Sequence, residues 1–122
     1  MVAATRDRIL DAAQTLAQTR GYNAFSFHEL GRRVGIRTAS VHHHFRTKGH
    51  LGRALMRRYH ERFFEALGAI ERGSPDPRRR LQDFVELFVS ALDRGDRMCL
   101  CGMLASEYAT LPAAVQSEVR RF

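Results

Sequence analysis

The chain of 122 residues is poor in the residues that cross-link or interrupt small folds, with two cysteines and three prolines. Cys99 and Cys101 make no disulfide framework, because one intervening residue is too tight for an unstrained bridge within a helix. Reduced thiols, as in the cytosol, are the expectation. No run of 18 apolar residues occurs, so no membrane-spanning helix is expected. The opening MVAATRDRILDAAQTLA carries charges at positions 6, 7, 8 and 11, which leaves no apolar stretch for a secretory leader. There is no low-complexity tract, no internal repeat, and no segment with the sustained alternation of a strand. What remains is an all-α, soluble cytoplasmic chain, and its 44% hydrophobic content is enough for a core.

Positive charge is abundant. The formal net charge is +7 and the pI about 10.6, which favours a polyanionic partner. Residues 1–62 carry 12 Lys/Arg against 4 Asp/Glu, whereas residues 81–122 carry 4 against 6. The basic surface therefore belongs to the N-terminal half. A solvated basic face would give the same totals, so charge alone does not decide for nucleic acid.

Start and stop signals order the helices. Thr5 can cap a first helix with Ile9, Ala13, Leu16 and Ala17 on one face, stopping at Gly21. Ser26 and Glu29 form an S-x-x-E capping box, with Phe25 and Leu30 placed as a hydrophobic staple. That helix runs to about Val34, where Gly35 supplies a left-handed cap. A short third helix covers about Thr38 to His44, and two brief helices joined by a Gly-containing turn make a helix-turn-helix. Thr47 caps a long fourth helix, about 47–72, with Leu51, Leu55, Tyr59, Phe63, Leu67 and Ile70 at helical spacing. GSPDP breaks it, and Asp76 with Pro77 starts a fifth helix through Leu81, Phe84, Val85, Phe88 and Leu92. A sixth helix is expected from about Arg97 to Ala109, and a seventh after Leu111-Pro112 with Val115, Val119 and Phe122 along one face. The last stripe has no stop signal, so the expectation is a fragment, or a helix completed by a partner.

His42, His43 and His44 are adjacent, and consecutive helical residues point about 100° apart. They cannot converge on one metal ion, for which helical pairs at i, i+3 or i, i+4 are needed. The other reading is a recognition helix. Thr38, Ala39 and Ser40 at its start are small enough to let the backbone approach a major groove, where hydroxyls can bond base edges or phosphates. Val41 and Phe45 would be buried, His42 and His43 would face outward, and His44 would pack or cap. The helix starts at Ser26 and at Thr47-Lys48 offer free N–H groups to phosphates. Capping alone explains Ser26 and Thr47, but not why both starts flank the same basic element.

The run TRDRILDAAQTLAQTRGYNAFSFHELGRRVGIRTASVHHHFRTKGHL resembles the DNA-binding head of the TetR-type (tetracycline-repressor-like) bacterial regulators. The matching features are T-R-x-x-I-L-x-A-A, R-G-Y, S-x-x-x-L, V-G-I, and H-H-F followed by Thr47 and Lys48. They span residues 5–51, about two fifths of the chain. The resemblance implies a helix-turn-helix domain at residues 1–50, a connecting fourth helix, and at 51–122 the N-terminal part of a helical ligand-binding and dimerisation domain. It also implies repression by a homodimer on palindromic double-stranded operator DNA, released by a small-molecule effector of unknown identity. By position, Arg37, Thr38, Ala39, Ser40, His42 and His43 match the recognition helix, and Ser26, His28, Thr47 and Lys48 match phosphate contacts. The chain departs from the family in having His42 where tyrosine is common, Arg37 for a small capping residue, and Gly49-His50 for acidic residues. The family's dimer-forming helices have no counterpart in this chain.

MCLCGMLASEYATLP, residues 98–112, resembles the sixth helix of some of these regulators. Core packing accounts for it, and Phe84, Phe88, Cys99, Met103 and Tyr108 are the candidates if it lines a ligand pocket. Cys99-x-Cys101 could instead sense oxidants or electrophiles, given exposure and a nearby positive charge such as Arg97. A zinc site would need two further ligands, and none is evident. A helical interaction module without DNA binding is the other alternative; acidic or bulky residues would then be expected in the recognition helix. The acids lie scattered on helix faces, so no catalytic constellation, metal or cofactor is expected.

Overall fold

The computed structural model describes residues 2–122, with side chains from Ala4 onward. Among them the chain is helical throughout, without a strand. Helix α1 (Val2–Arg20) buries Ile9, Leu10, Ala13, Leu16 and Ala17, positions that recur at three- and four-residue spacing. It begins before Thr5, which therefore lies inside the helix instead of capping it. Gly21, at φ +100°, turns the chain into a 3-10 turn at Tyr22–Ala24, a backbone conformation that L side chains rarely adopt.

Helix α2 (Phe27–Val34) starts as its sequence dictates, with Ser26 Oγ accepting the Glu29 N–H at 3.2 Å. The reciprocal half of the capping box is replaced. The Glu29 carboxylate instead takes Arg20 Nη1 at 2.8 and 3.0 Å, because the end of α1 brings a guanidinium within reach. Phe25 and Leu30 are both buried, as a staple requires. Gly35, at φ +81°, ends the helix, and its N–H and that of Ile36 both reach Gly31 O, at 2.8 and 2.9 Å. Gly31 matters equally, since a Cβ there would lie 2.8 Å from Ile36 O. The turn can close only over a glycine. Arg8 Nη2 satisfies the Val34 carbonyl at 2.5 Å and ties α1 to the end of α2.

Helix α3 (Thr38–His44) has the expected bounds and buries Val41, with Phe45 buried beyond its end. Helix α4 (Lys48–Gly73) is capped by Thr47, whose Oγ1 accepts the His50 N–H at 3.1 Å. Its first half is buried at Leu51, Gly52, Leu55 and Met56. Helix α5 (Pro77–Asp93) follows a cap in which Asp76 Oδ1 accepts the Arg78 N–H at 3.1 Å. Its apolar stripe is less covered than the sequence suggests: Leu81 is 64% exposed and Val85 50%.

Helix α6 (Leu100–Ser106) is shorter than expected at both ends. Met98 is held in a reciprocal pair with Gln18 of α1, its N–H donating to Gln18 O at 3.1 Å and its carbonyl accepting Gln18 Nε2 at 3.0 Å. That pairing keeps residues 97–99 out of the helix. At the other end Glu107 closes α6, and a 3-10 turn, Tyr108–Thr110, follows. Helix α7 (Ala113–Arg121) packs Val115 and Val119 against α4, with Gly52 allowing the close approach. Glu118 of α7 is buried, and its Oε1 accepts Arg57 Nε at 2.8 Å.

One continuous core joins these elements, from Ile9 of α1 through Phe27, Leu30 and Val41 to Leu55, Leu104 and Val115. Each large apolar side chain removed from water contributes about 1.5–3 kcal/mol. Exposed ion pairs such as Arg79–Asp83 contribute about 0–1 kcal/mol each, so burial holds the head together.

Candidate nucleic-acid interface and adjoining cavity

The start of α2, all of α3 and the start of α4 adjoin through side-chain contacts. His28 Nδ1 lies 3.3 Å from Thr38 Oγ1, linking the first turns of α2 and α3. The His42 ring packs on Phe27 with centroids 4.7 Å apart, and its Nδ1 lies 3.2 Å from Arg46 O. His42 is exposed yet held by these contacts, and its Nε2 is in neither of them. His43 is exposed, and His44 is half-buried against it, edge to face at 5.5 Å. Ser26, His28, Arg37, Ala39 and Thr47 are exposed, and Thr38 and Ser40 half-buried. Arg37 precedes α3 in extended backbone and makes no side-chain cap.

Lys48 is placed differently from a free phosphate donor. Its Nζ donates to the Phe25 carbonyl and lies 4.6 Å and 4.4 Å from the Tyr22 and Phe25 ring centroids. Burial pushes its pKa down, and the Glu107 carboxylate opposes that shift. An ammonium has three donors, so this geometry leaves capacity for an anion while tying the start of α4 to the turn before α2. The same turn is clasped from the far side. Glu107 Oε1 accepts the Tyr22 N–H at 2.7 Å and Oε2 the Asn23 N–H at 2.9 Å, while Asn23 Nδ2 donates to Thr110 Oγ1 at 2.7 Å. Burial, with Glu107 adding to it, pushes the Tyr22 phenol up to about 12. Its hydroxyl has no hydrogen-bond partner among the described residues.

Arg32, Arg33 and Arg46 escaped the residue-by-residue reading. All three are exposed beside this surface and belong to none of the ion pairs among the described residues. Their signal was the charge excess of residues 1–62, which does not say which arginines share a face. Among the described residues no three His, Cys, Asp or Glu converge as a metal set, and no helix is long and apolar enough to cross a membrane.

Below the head, α1, α4, α5 and residues 94–99 enclose a cavity of about 270 Å³. Of the five suggested ligand contacts, Phe88 and Cys99 line it. Phe84 sits outside, 37% exposed and 5.2 Å from the Phe88 ring. Met103 packs on the main core, and Tyr108 faces α7, its hydroxyl meeting Arg120 and its carbonyl accepting Gln116 Nε2 at 2.8 Å. The missed walls come from distant sequence. Arg58 Nη2, Gln14, Gln18 and the Met98 carbonyl form a hydrogen-bonded chain at 3.1, 3.3 and 3.0 Å. Tyr59 Oη donates to Cys99 Sγ at 3.4 Å, and burial, with that thiol adding to it, raises the Tyr59 pKa. Burial and the neighbouring Cys99 also raise the Cys101 pKa, which disfavours its thiolate.

A helix-turn-helix head on a helical core is the class of protein this geometry defines. Residues 9–55 match the family model described as bacterial regulatory proteins, tetR family. The fold is similar to that of a TetR-family transcriptional regulator from Agrobacterium tumefaciens, with TM-score 0.95 and 34% identity, covering 99% of this chain and 64% of that one. A TetR regulator from Legionella pneumophila gives TM-score 0.87 and 34% identity over 93% of this chain and 62% of that one. The HTH-type transcriptional activator FasR of Mycolicibacterium smegmatis is 27% identical over 110 residues, 88% of this chain and 48% of the relative. In its fold, and in the sequence of residues 9–55, the chain is similar to the TetR-type regulators. It spans less than two thirds of the length of each of these relatives, all of them named as transcriptional regulators and none as an enzyme.

Proposed function

We propose that this chain is the DNA-binding head (residues 1–50) and the first part of the effector domain (51–122) of a ligand-responsive, cytoplasmic repressor that binds a palindromic operator as a homodimer. One observation carries the reading. An exposed α3, small and hydroxyl-bearing at its start and imidazole-bearing further on, stands between two side-chain-capped helix starts, with unpaired arginines beside it. Arg37, Thr38, Ala39, Ser40, His42 and His43 read or approach bases. Ser26, His28 and Thr47, together with the remaining donors of Lys48, take phosphates. The cavity below is the effector site.

The test is fluorescence anisotropy with the native upstream intergenic DNA and a shuffled control, titrated across salt. Tight binding to the native DNA, weakening steeply with salt as phosphate neutralisation requires, supports the reading. Equal, salt-insensitive binding to both DNAs refutes it and leaves a helical interaction module. A reporter on the native promoter fixes the sign. Activity that rises when the protein is removed supports repression, and activity that falls indicates activation, as in the name of the M. smegmatis relative.

A further inference from the structure

The cavity beneath the head has an uneven chemistry. Three arginines contribute to its wall, Arg62 from α4 with Arg94 and Arg97 from the segment after α5, and no carboxylate does. None of the three belongs to an ion pair among the described residues. Arg97 is half-buried, whereas Arg62 and Arg94 are exposed, so the positive charge collects toward the mouth. Phe63 and Phe88, both half-buried with rings 6.1 Å apart, give the wall an aromatic part, joined by Ala66, Leu87 and Ala91. The glutamine amides each spend one of their two N–H groups on this chain of bonds, and Arg94 Nε donates to Ser90 O at 3.2 Å, so the charged donors left to recognise a guest are the remaining guanidinium N–H groups.

An uncharged apolar guest would leave those guanidinium groups facing its exit, and a cation would be repelled. A guest with an anionic head and an apolar body satisfies both parts at once, because guanidinium forms its strongest hydrogen bonds with carboxylate, sulfonate or phosphate oxygens. We propose that the cavity binds a small amphipathic organic anion, its head at Arg62, Arg94 and Arg97 and its apolar body against Phe63 and Phe88. At about 270 Å³ the space is at the small end of ligand pockets, which suits a body of one or two rings or a short chain. The inference rests on reading this cavity as the effector site and deepens that reading by naming the guest's charge.

Two compounds sharing one body make the test, 2-naphthoate and the uncharged 2-naphthylmethanol, titrated calorimetrically into the chain without DNA. The naphthoate is expected to bind about tenfold more tightly, a modest ratio because two of the arginines are exposed to water. Arg62→Gln and Arg97→Gln together should erase the ratio while leaving the alcohol's affinity unchanged, and Arg97→Lys should restore part of it. Location is read in a Cys101→Ser background, where bound naphthoate should slow alkylation of Cys99 by N-ethylmaleimide. Equal affinities, a charge preference that survives the arginine substitutions, or no binding at millimolar concentration would each overturn the proposal. Because DNA is absent from these titrations, such a failure leaves the operator-binding reading standing, and failure to bind operator DNA leaves this result untouched.

Discussion

Replacing Glu107 tests whether the core grips the head through one carboxylate. In the native chain its two oxygens accept the backbone N–H groups of Tyr22 and Asn23 at 2.7 and 2.9 Å. Glu107→Gln preserves shape, and its amide oxygen can keep one of these bonds. The amide nitrogen would then point a donor at a donor. Hydrogen bonds to a charged group contribute about 1.5–3 kcal/mol net, and Glu107 is half-buried, so the lower end applies. The glutamine variant should lose about 1.5 kcal/mol, and Glu107→Ala, which removes both acceptors, about 3 kcal/mol. Urea unfolding followed by circular dichroism at pH 7 measures this, with an unchanged slope confirming that stability alone moved. Glu65→Gln, on an exposed part of α4, serves as the control and should stay within about 0.5 kcal/mol. A Glu107→Gln variant indistinguishable from that control would refute the reasoning.

Tyr22→Phe removes a buried hydroxyl without a partner and should leave stability unchanged or raise it by about 1 kcal/mol at pH 7; a loss above 1 kcal/mol would mean the hydroxyl is bonded. The raised Tyr22 pKa favours the neutral phenol in the folded state, so its contribution is complete below pH 10 and lost as pH rises toward about 12. Wild type should therefore fall relative to Tyr22→Phe across that window, and parallel stability curves would contradict the assignment. Gly52→Ala gains helix propensity but sets a Cβ 2.8 Å from Val115 Cγ2 and 2.9 Å from Tyr22 Cε2, so thermal melting should show a net loss of about 1–3 kcal/mol. For DNA, Thr38→Ala should relax base preference by about 1–3 kcal/mol at one base pair, whereas Arg46→Ala should weaken native and shuffled DNA alike and flatten the salt slope. Equal losses for both variants on both DNAs would undo that division of roles.

Helix starts and stops were legible because their signals are local. Ser26, Thr47 and Asp76-Pro77 each cap within three residues, and Gly35 ends α2 by its own φ. What escaped depends on partners far along the chain. Gln18 pairs with Met98 across 80 residues and delays α6, and Arg20 reaches Glu29 and undoes half of a capping box. Lys48, the chain's one lysine, reads as an exposed cation until the Tyr22 and Phe25 rings are folded beneath it. For the cavity, the soft residues around Cys99 drew the eye to one wall. Tyr59 and Arg62, three apart on α4, share a face by their spacing, but nothing in the sequence sets that face beside Gln14 of α1.

Helix α6 has seven residues, about 10 Å end to end at 1.5 Å per residue. Its N-cap, Cys99, is part of the cavity wall, and its C-cap, Glu107, holds the turn that leads into α2. Leu100 and Leu104, fully buried between them, leave it no room to bend or fray. It therefore has the form of a strut, and if the cavity takes a guest as proposed, one that displaced the Cys99 end would move the acceptor of the Tyr22 and Asn23 amides with it. The traffic runs both ways. Whatever factor a guest imposes on the head's hold of its polyanion, the polyanion must impose on the guest, because the two equilibria close one thermodynamic cycle.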